Sequence, residues 1–166
     1  MQIRTLQFHE VKLHRSLRLR ALRDAPDSFG ETLAEAELRP LEYWQEQTRT
    51  VTESGSHIMF LACQHNTVQG STYGLTDHDC LRIGRIGGMW VDSRWRRQGI
   101  GRALLEAVLA WANGRNFTTL GLWAPAHCPA AVSLYRKLGF RETGNQRSLP
   151  YNPALNILEM ECDWKR

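Results

Sequence analysis

What this sequence lacks narrows it first. No stretch reaches 18 consecutive apolar residues, so no membrane-spanning helix is expected. The opening MQIRTLQFHE has no apolar core of the kind a secretory signal carries, and the expected location is cytoplasmic. No internal repeat, low-complexity run or Gly/Ser linker divides the chain. Residues 1–166 are therefore expected to form one domain, long enough to bury a core without staples. The four cysteines, Cys63, Cys80, Cys128 and Cys162, form no CxxC pair. They share no zinc-like spacing with the six histidines, among which no HExxH occurs, so free thiols and no metal are expected. Two nucleotide signatures are also missing. GxxxxGK[ST] is absent, and GxGxxG fails because Leu104 stands where its third glycine would be.

What is present is an ordinary globular composition, 42% hydrophobic and 23% charged, with a formal charge of +4. A basic balance admits nucleic acid, an anionic cofactor or an acidic partner. The chain has no recognised DNA- or RNA-binding motif and no extended basic stripe, which argues against nucleic acid.

Periodicity then orders the chain. Residues 2 to 7 suit a short strand. Leu13, Leu17 and Ala21 recur every four residues, predicting an amphipathic helix from Glu10 to Arg23, which Pro26 and Gly30 end. Residues 40 to 49 suggest a second helix with Pro40 at its first position. HIMFLACQ (57–64) and TVQGSTYGL (67–75) read as a hairpin about His65-Asn66, and LRIGRIGGMWV (81–91) as a further strand. Its glycines at 84, 87 and 88 suggest a bulge, or close approach of a backbone or ligand. Helix 100–112, strand 117–124, helix 129–139 and a strand around Leu158–Cys162 complete an α/β fold with a mixed sheet. The strand–helix–strand unit within it implies a parallel pair.

The junction SRWRRQGIG carries chemistry. A helix start exposes about four N–H groups and roughly half a positive charge. Gly99 and Gly101 would leave the main chain open to an anion, with Arg94, Arg96, Arg97 and Arg102 close by. A phosphate-bearing ligand fits this best, although a plain solvated turn reads from the same residues.

Arg96-Arg97-Gln98-Gly99-Ile100-Gly101 resembles R/Q-x-x-G-x-G/A, the pyrophosphate loop of the GNAT superfamily of N-acetyltransferases. AVSLYRKLGF (131–140) resembles that superfamily's second signature, A-x-x-L-Y-x-K-x-G-F, in the expected order and spacing. The resemblance implies a mixed, mostly antiparallel sheet flanked by helices, with a central parallel pair splayed to admit CoA. It implies acetyl-CoA as donor, held by the loop from Arg96 through Gln98 to Ile100 and Arg102 and by the backbone of Met89, Trp90 and Val91. Gly87-Gly88 would give the acetyl end room. Tyr135 matches the family's tyrosine, which assists departure of the thiolate. Cys128 stands where the family often has asparagine, at a position that contacts the cofactor arm; His127 beside it reads as a loop histidine.

The acceptor implied is a primary amine of a small molecule or peptide, which attacks the thioester directly in a ternary complex; neither nucleic acid nor membrane is expected as a partner. The oligomeric state stays open, a homodimer being common in the family. RIGGMWV has no carboxylate where many relatives carry glutamate. Asp27, Glu31, Asp77, His78, Asp79 or water are left as candidates for the base. The same gap keeps a non-catalytic acyl-CoA-binding module as the alternative.

Overall fold

The computed structural model describes residues 1–164. Seven strands form one sheet: β1 (Gln2–Thr5), β2 (His57–Gln64), β3 (Thr67–Thr76), β4 (Ile83–Val91), β5 (Thr119–Pro125), β6 (Arg141–Leu149) and β7 (Asn152–Asp163). Five helices accompany them: α1 (Val11–Asp24), α2 (Leu33–Glu37), α3 (Leu41–Glu53), α4 (Ile100–Ala112) and α5 (Pro129–Lys137). The strand order is β1-β2-β3-β4-β5-β7-β6, and only β4 and β5 run parallel. That pair is joined through α4, as a parallel connection requires. The mixed sheet and its central parallel pair are those expected from the sequence.

Each sheet face has its own core. On one face, Leu105, Val108 and Ala112 of α4 and Val132 and Tyr135 of α5 pack against Ile86, Leu120, Leu122 and Met160. On the other, Leu17, Ala21 and Leu22 of α1 and Ala36 of α2 pack with Phe29, Met59, Leu61 and Trp90. The hairpin between β2 and β3 turns on His65 (φ 47°) and Asn66 (φ 61°), the two left-handed residues a tight turn needs to match strand twist.

Two elements depart from the sequence expectation. The short helix α2 had a signal: Thr32 and Glu35 form a capping box, each side chain bonding the other's backbone N–H. The edge strand β6 had none, because RETGNQRSL shows no apolar alternation and every residue before Leu149 is exposed. Its backbone pairs with β7 through a register shift between Glu142 and Gln146. No described helix is long and apolar enough to cross a membrane.

α1 and α3 are joined by a buried polar contact. His14 Nδ1 lies 2.9 Å from Thr48 Oγ1, and its ring meets Trp44 edge-on at 5.8 Å. Burial, with Arg18 adding to it, pulls the imidazole down to about 4. The unfolded chain takes up this proton below pH ~6.5, whereas the folded one resists until about pH 4. Stability should therefore fall as pH drops through that window, by on the order of 2 kcal/mol between pH 7 and pH 5. Urea unfolding at pH 7 and pH 5 checks this, and His14→Gln should flatten the difference.

Candidate functional site

The central parallel pair comes apart partway. β4 and β5 are bridged from Ile83–Thr119 to Ile86–Leu122 and no further. From Gly87 to Val91, β4 keeps only β3 as neighbour, leaving one edge of its backbone facing a gap. Just before the strands part, Arg85 of β4 ties the β3–β4 turn to β7. Its Nε donates to Asp77 Oδ2 at 2.8 Å, and Nη1 donates to Glu159 and Glu161 of β7 at 3.2 and 3.3 Å. The guanidinium crosses β5 over Gly121, where a Cβ would come within 2.4 Å of Nη1. Glu159 is held in turn by Asn145 Nδ2 and Thr143 Oγ1. These hydrogen bonds from Asn145, Thr143 and Arg85 keep its carboxyl below the usual range.

Just past the parting, β4 bulges. Ser71 lies opposite Trp90 and Tyr73 opposite Gly87, so Gly88 and Met89 together face Thr72. Gly88 has φ +57°, the left-handed residue such a bulge favours, and Thr72 Oγ1 donates to the Gly87 carbonyl at 3.1 Å. The room expected at Gly87-Gly88 is filled from within. The Tyr73 ring lies across both, so a Cβ would fall 2.5 Å from it at Gly87 and 2.3 Å at Gly88. Met89 packs toward α4, and the Trp90 indole is buried on the α1 face, donating to Asp24 Oδ2 at 3.0 Å. From these residues the gap receives backbone.

The arginine loop is mostly tied inward. Arg94 donates twice to Asp92, at 2.9 and 2.7 Å, and Arg20 reaches the same carboxylate at 2.9 Å. The hydrogen bond from Arg94 leads in holding the Asp92 carboxyl well below the usual range. Arg96 donates to the Val91 carbonyl at 2.9 Å and pairs with Asp24. Arg102 pairs with Glu106 at 2.7 Å. Arg97, at φ +64°, has no ion pair among the described residues, and it is exposed like Gln98.

Behind Arg97 and Gln98, Gly99 caps α4 at φ +82°, with nothing within 4 Å of the position a Cβ would take. No side chain caps α4, and its first return bond runs from Ala103 N to the Gly99 carbonyl. The N–H groups of Ile100, Gly101 and Arg102 are thus left without helical partners, as at any helix start. Gly101 has a different task from the expected one: its missing side chain lets Leu134 of α5 approach, a Cβ there standing 3.2 Å from that residue. Ile100 is buried beneath.

α5 sets Tyr135 under the gap. The residue is 5% exposed and shares its cluster with Ile86, Leu105, Leu122 and, at the rim, Met89 of the parted strand. Burial, and then charge at Cys128, push its phenol far above the ordinary value. Cys128 caps α5, accepting from Val132 N at its carbonyl, and His127 is exposed. Across the sheet, the turn Pro26–Ser28 lies against β5, and Tyr151 donates to the Pro26 and Phe29 carbonyls, tying this turn to the β6–β7 hairpin.

The base candidates do not gather. Asp77 is engaged by Arg85 and by the N–H groups of Asp79 and Cys80. His78 and Asp79 stand in solvent at the turn before β4, with side chains 100% and 95% exposed. Glu31 lies between Arg18 at 3.1 Å and Arg39 at 3.5 Å, and Asp27 is exposed.

The parted parallel pair and the uncapped helix start both lie within a stretch that matches a known family. Residues 18–140 match the model of the acetyltransferase (GNAT) family. The chain belongs to that family. GNAT proteins are acetyl-CoA-dependent acyltransferases, and this chain is one of them.

Among relatives, a [ribosomal protein bS18]-alanine N-acetyltransferase of Escherichia coli is 30% identical over 105 residues, 63% of this chain and 69% of that one. An aminoglycoside N(6')-acetyltransferase type 1 of Stenotrophomonas maltophilia is 31% identical over 114 residues, 63% of this chain and 70% of that one. Among solved structures, the Salmonella typhimurium protein yncA with its cofactor acetyl-CoA superimposes with TM-score 0.77 at 16% identity, covering 100% of this chain and 95% of that one. The GNAT fold is common to all of β1–β7.

The bulge carries the strain of this site. Gly88→Ala would place a methyl into the Tyr73 ring at positive φ, and should cost about 2 kcal/mol or more of unfolding free energy. Gly144→Ala, also at positive φ but with open space around it, should cost about 1 kcal/mol. Denaturant titration of the two variants separates clash from backbone strain.

Proposed function

We propose that this protein transfers the acetyl group of acetyl-CoA to a primary amine of a small molecule or peptide by direct attack within the β4–β5 gap. The observation that carries the reading is the loss of pairing beyond Ile86–Leu122, which leaves an extended backbone edge beside an uncapped helix start. The relatives support an amine acceptor, since those named act on an alanine of ribosomal protein bS18 and on an aminoglycoside.

The residues fit the donor. Main-chain N–H groups from Arg97 to Arg102 would take its diphosphate, with the Arg97 guanidinium free to add charge and Gly99 leaving the approach open. Gln98 and Ile100 contribute backbone, while Arg96 acts by fixing the loop to Asp24. The edge of Met89, Trp90 and Val91 would pair with the extended arm, and Cys128 would border it beside Tyr135. Acetyl-CoA, when bound, supplies a thioester whose carbonyl carbon accepts the amine nitrogen as the carbon–sulfur bond breaks, the amine's proton ending on sulfur.

Tyr135 serves this departure by donating a hydrogen bond. Its phenol is raised well above the ~8.5 of a thiol, so it steadies a thiolate without surrendering its own proton. Backbone N–H groups of β4 polarise the carbonyl. The ammonium form of the acceptor sheds one proton to water before attack, since Glu31 and Asp77 are already shared with arginines and Asp27 is exposed. The proton released after attack is the one that ends on sulfur.

Calorimetry with acetyl-CoA tests the loop. Gly99→Glu should lose at least about tenfold in affinity, as charge-assisted bonds of this kind are worth about 1.5–3 kcal/mol. Gly99→Ala, strained but neutral, should bind more tightly than Gly99→Glu. Thiol release with a panel of amines tests the reaction. Tyr135→Phe should lower kcat about 10²-fold with acetyl-CoA affinity kept. Unchanged turnover would remove Tyr135 from the mechanism. The pH profile of kcat/KM should rise with the acceptor's own pKa. Because the Tyr135 phenol is raised, it should show no alkaline fall below about pH 10. Binding without amine-dependent thiol release would instead mark an acyl-CoA-binding module.

A further inference from the structure

We propose that the Tyr73 hydroxyl binds the nitrogen of the acceptor amine, on the sheet face opposite to Tyr135. The assignment rests on acetyl transfer in the β4–β5 gap and adds to it a residue that neither family signature contains.

Three observations lead there. The first is position. Tyr73 lies across Gly87 and Gly88, the first residues of β4 past its last bridge to β5, and a Cβ on Gly87 would stand 2.8 Å from the hydroxyl oxygen. The second is the state of that hydroxyl. It makes no hydrogen bond among the described residues, while its half-buried ring packs at the edge of the cluster of Leu17, Ala21, Phe29 and Trp90, so the oxygen is open to a ligand. Tyr151, by contrast, satisfies its hydroxyl with two backbone carbonyls. The third is what the chain spends to put it there: two consecutive glycines, one of them at φ +57°, whose nearest neighbour is this ring. Backbone strain held at one point of a strand points to a use for the group it admits.

The faces assign the role. Tyr135 packs with α4 and α5, Tyr73 with α1, and the parted strands lie between them. A hydroxyl on the α4–α5 side, next to the helix start that takes the diphosphate, serves the sulfur. The hydroxyl on the α1 side is left for the group that arrives separately. Burial raises the Tyr73 phenol; Arg18 opposes this, and Tyr43 and Glu31 add to it. The side chain therefore stays neutral. It accepts an N–H from the neutral amine and points the nitrogen lone pair at the carbonyl carbon without taking or giving a proton.

The test is Tyr73→Phe, which deletes one unpartnered oxygen and keeps the ring on its glycines. The acceptors are spermidine, kanamycin and a peptide with a free N-terminal alanine. For whichever of these the wild type acetylates, KM for the amine should rise about tenfold or more. Calorimetric affinity for acetyl-CoA should stay within about twofold, and the melting temperature should be unchanged, because no hydrogen bond within the described chain is lost. A purely structural Tyr73 predicts the reverse, a lower melting temperature with unaltered amine KM, and that result overturns the assignment. Wild type that binds acetyl-CoA yet acetylates none of the three overturns the transferase reading, and the assignment with it.

Discussion

Everything in this molecule is arranged around one unpaired edge of backbone. A buried strand normally satisfies both edges, since each unpaired N–H or C=O costs about as much as a lost hydrogen bond. β4 does so up to Ile86 and then leaves five residues with a neighbour on one side only. Such an edge persists only if the strands on either side are held apart. Arg85 fixes where the parting starts by stitching β4 to β7 over Gly121. Past that point the two strands have different covers. β4 follows β3 and the α1 core through its bulge, while β5 stays with β7 as far as Pro125–Ile157. The opening is thus a property of two rigid halves, and the loops are not what creates it.

The arginine-rich junction, read as charge alone, overstates its own positive field. Arg94 and Arg20 close on Asp92, Arg96 on Asp24 and Arg102 on Glu106, so most of the cationic charge is neutralised locally. These pairs do something other than attract an anion. Asp92 ends β4 and Asp24 ends α1, so they fasten the loop to both elements and set the direction in which α4 starts. The attraction left over comes from peptide N–H groups and Arg97. Half-exposed ion pairs contribute little stability individually. Several converging on a single turn restrict its geometry, and geometry is what an N–H cradle needs.

How much of this was legible in the sequence follows from the length scale of each signal. Helices α1, α4 and α5 and the β2–β3 hairpin were readable because apolar period and turn residues act within about ten positions. β6 was not, because its stability comes from pairing with β7 and its side chains face water. α2 was readable in principle through Thr32 and Glu35, but five residues leave almost no period to see. At the proposed site, the loop and Tyr135 were visible as local motifs. The partners of the arginines were not, since Asp24 lies 72 residues from Arg96 and chain distance hides such pairs. Gly101 and Gly87-Gly88 show the same limit. A glycine in a sequence announces that something comes close, yet the visitor, Leu134 in one case and Tyr73 in the other, is supplied by the fold.

That last point changes how the glycine pair should be weighed. In a strand, two adjacent glycines forfeit packing and cost entropy, and a positive φ adds twist and breaks the ladder. A chain selecting for stability alone could fill this stretch of β4 with β-branched residues and give Tyr73 a partner or a shorter side chain. It has instead kept a weak strand, a bulge and a half-buried phenol that makes no hydrogen bond among the described residues, all within a few residues of the unpaired edge. Local rules are broken together here, at the point where the sheet opens, while the surrounding α1 and α4 cores obey them. Concentrated violations in an otherwise consistent fold are what a reaction centre looks like from the side of stability.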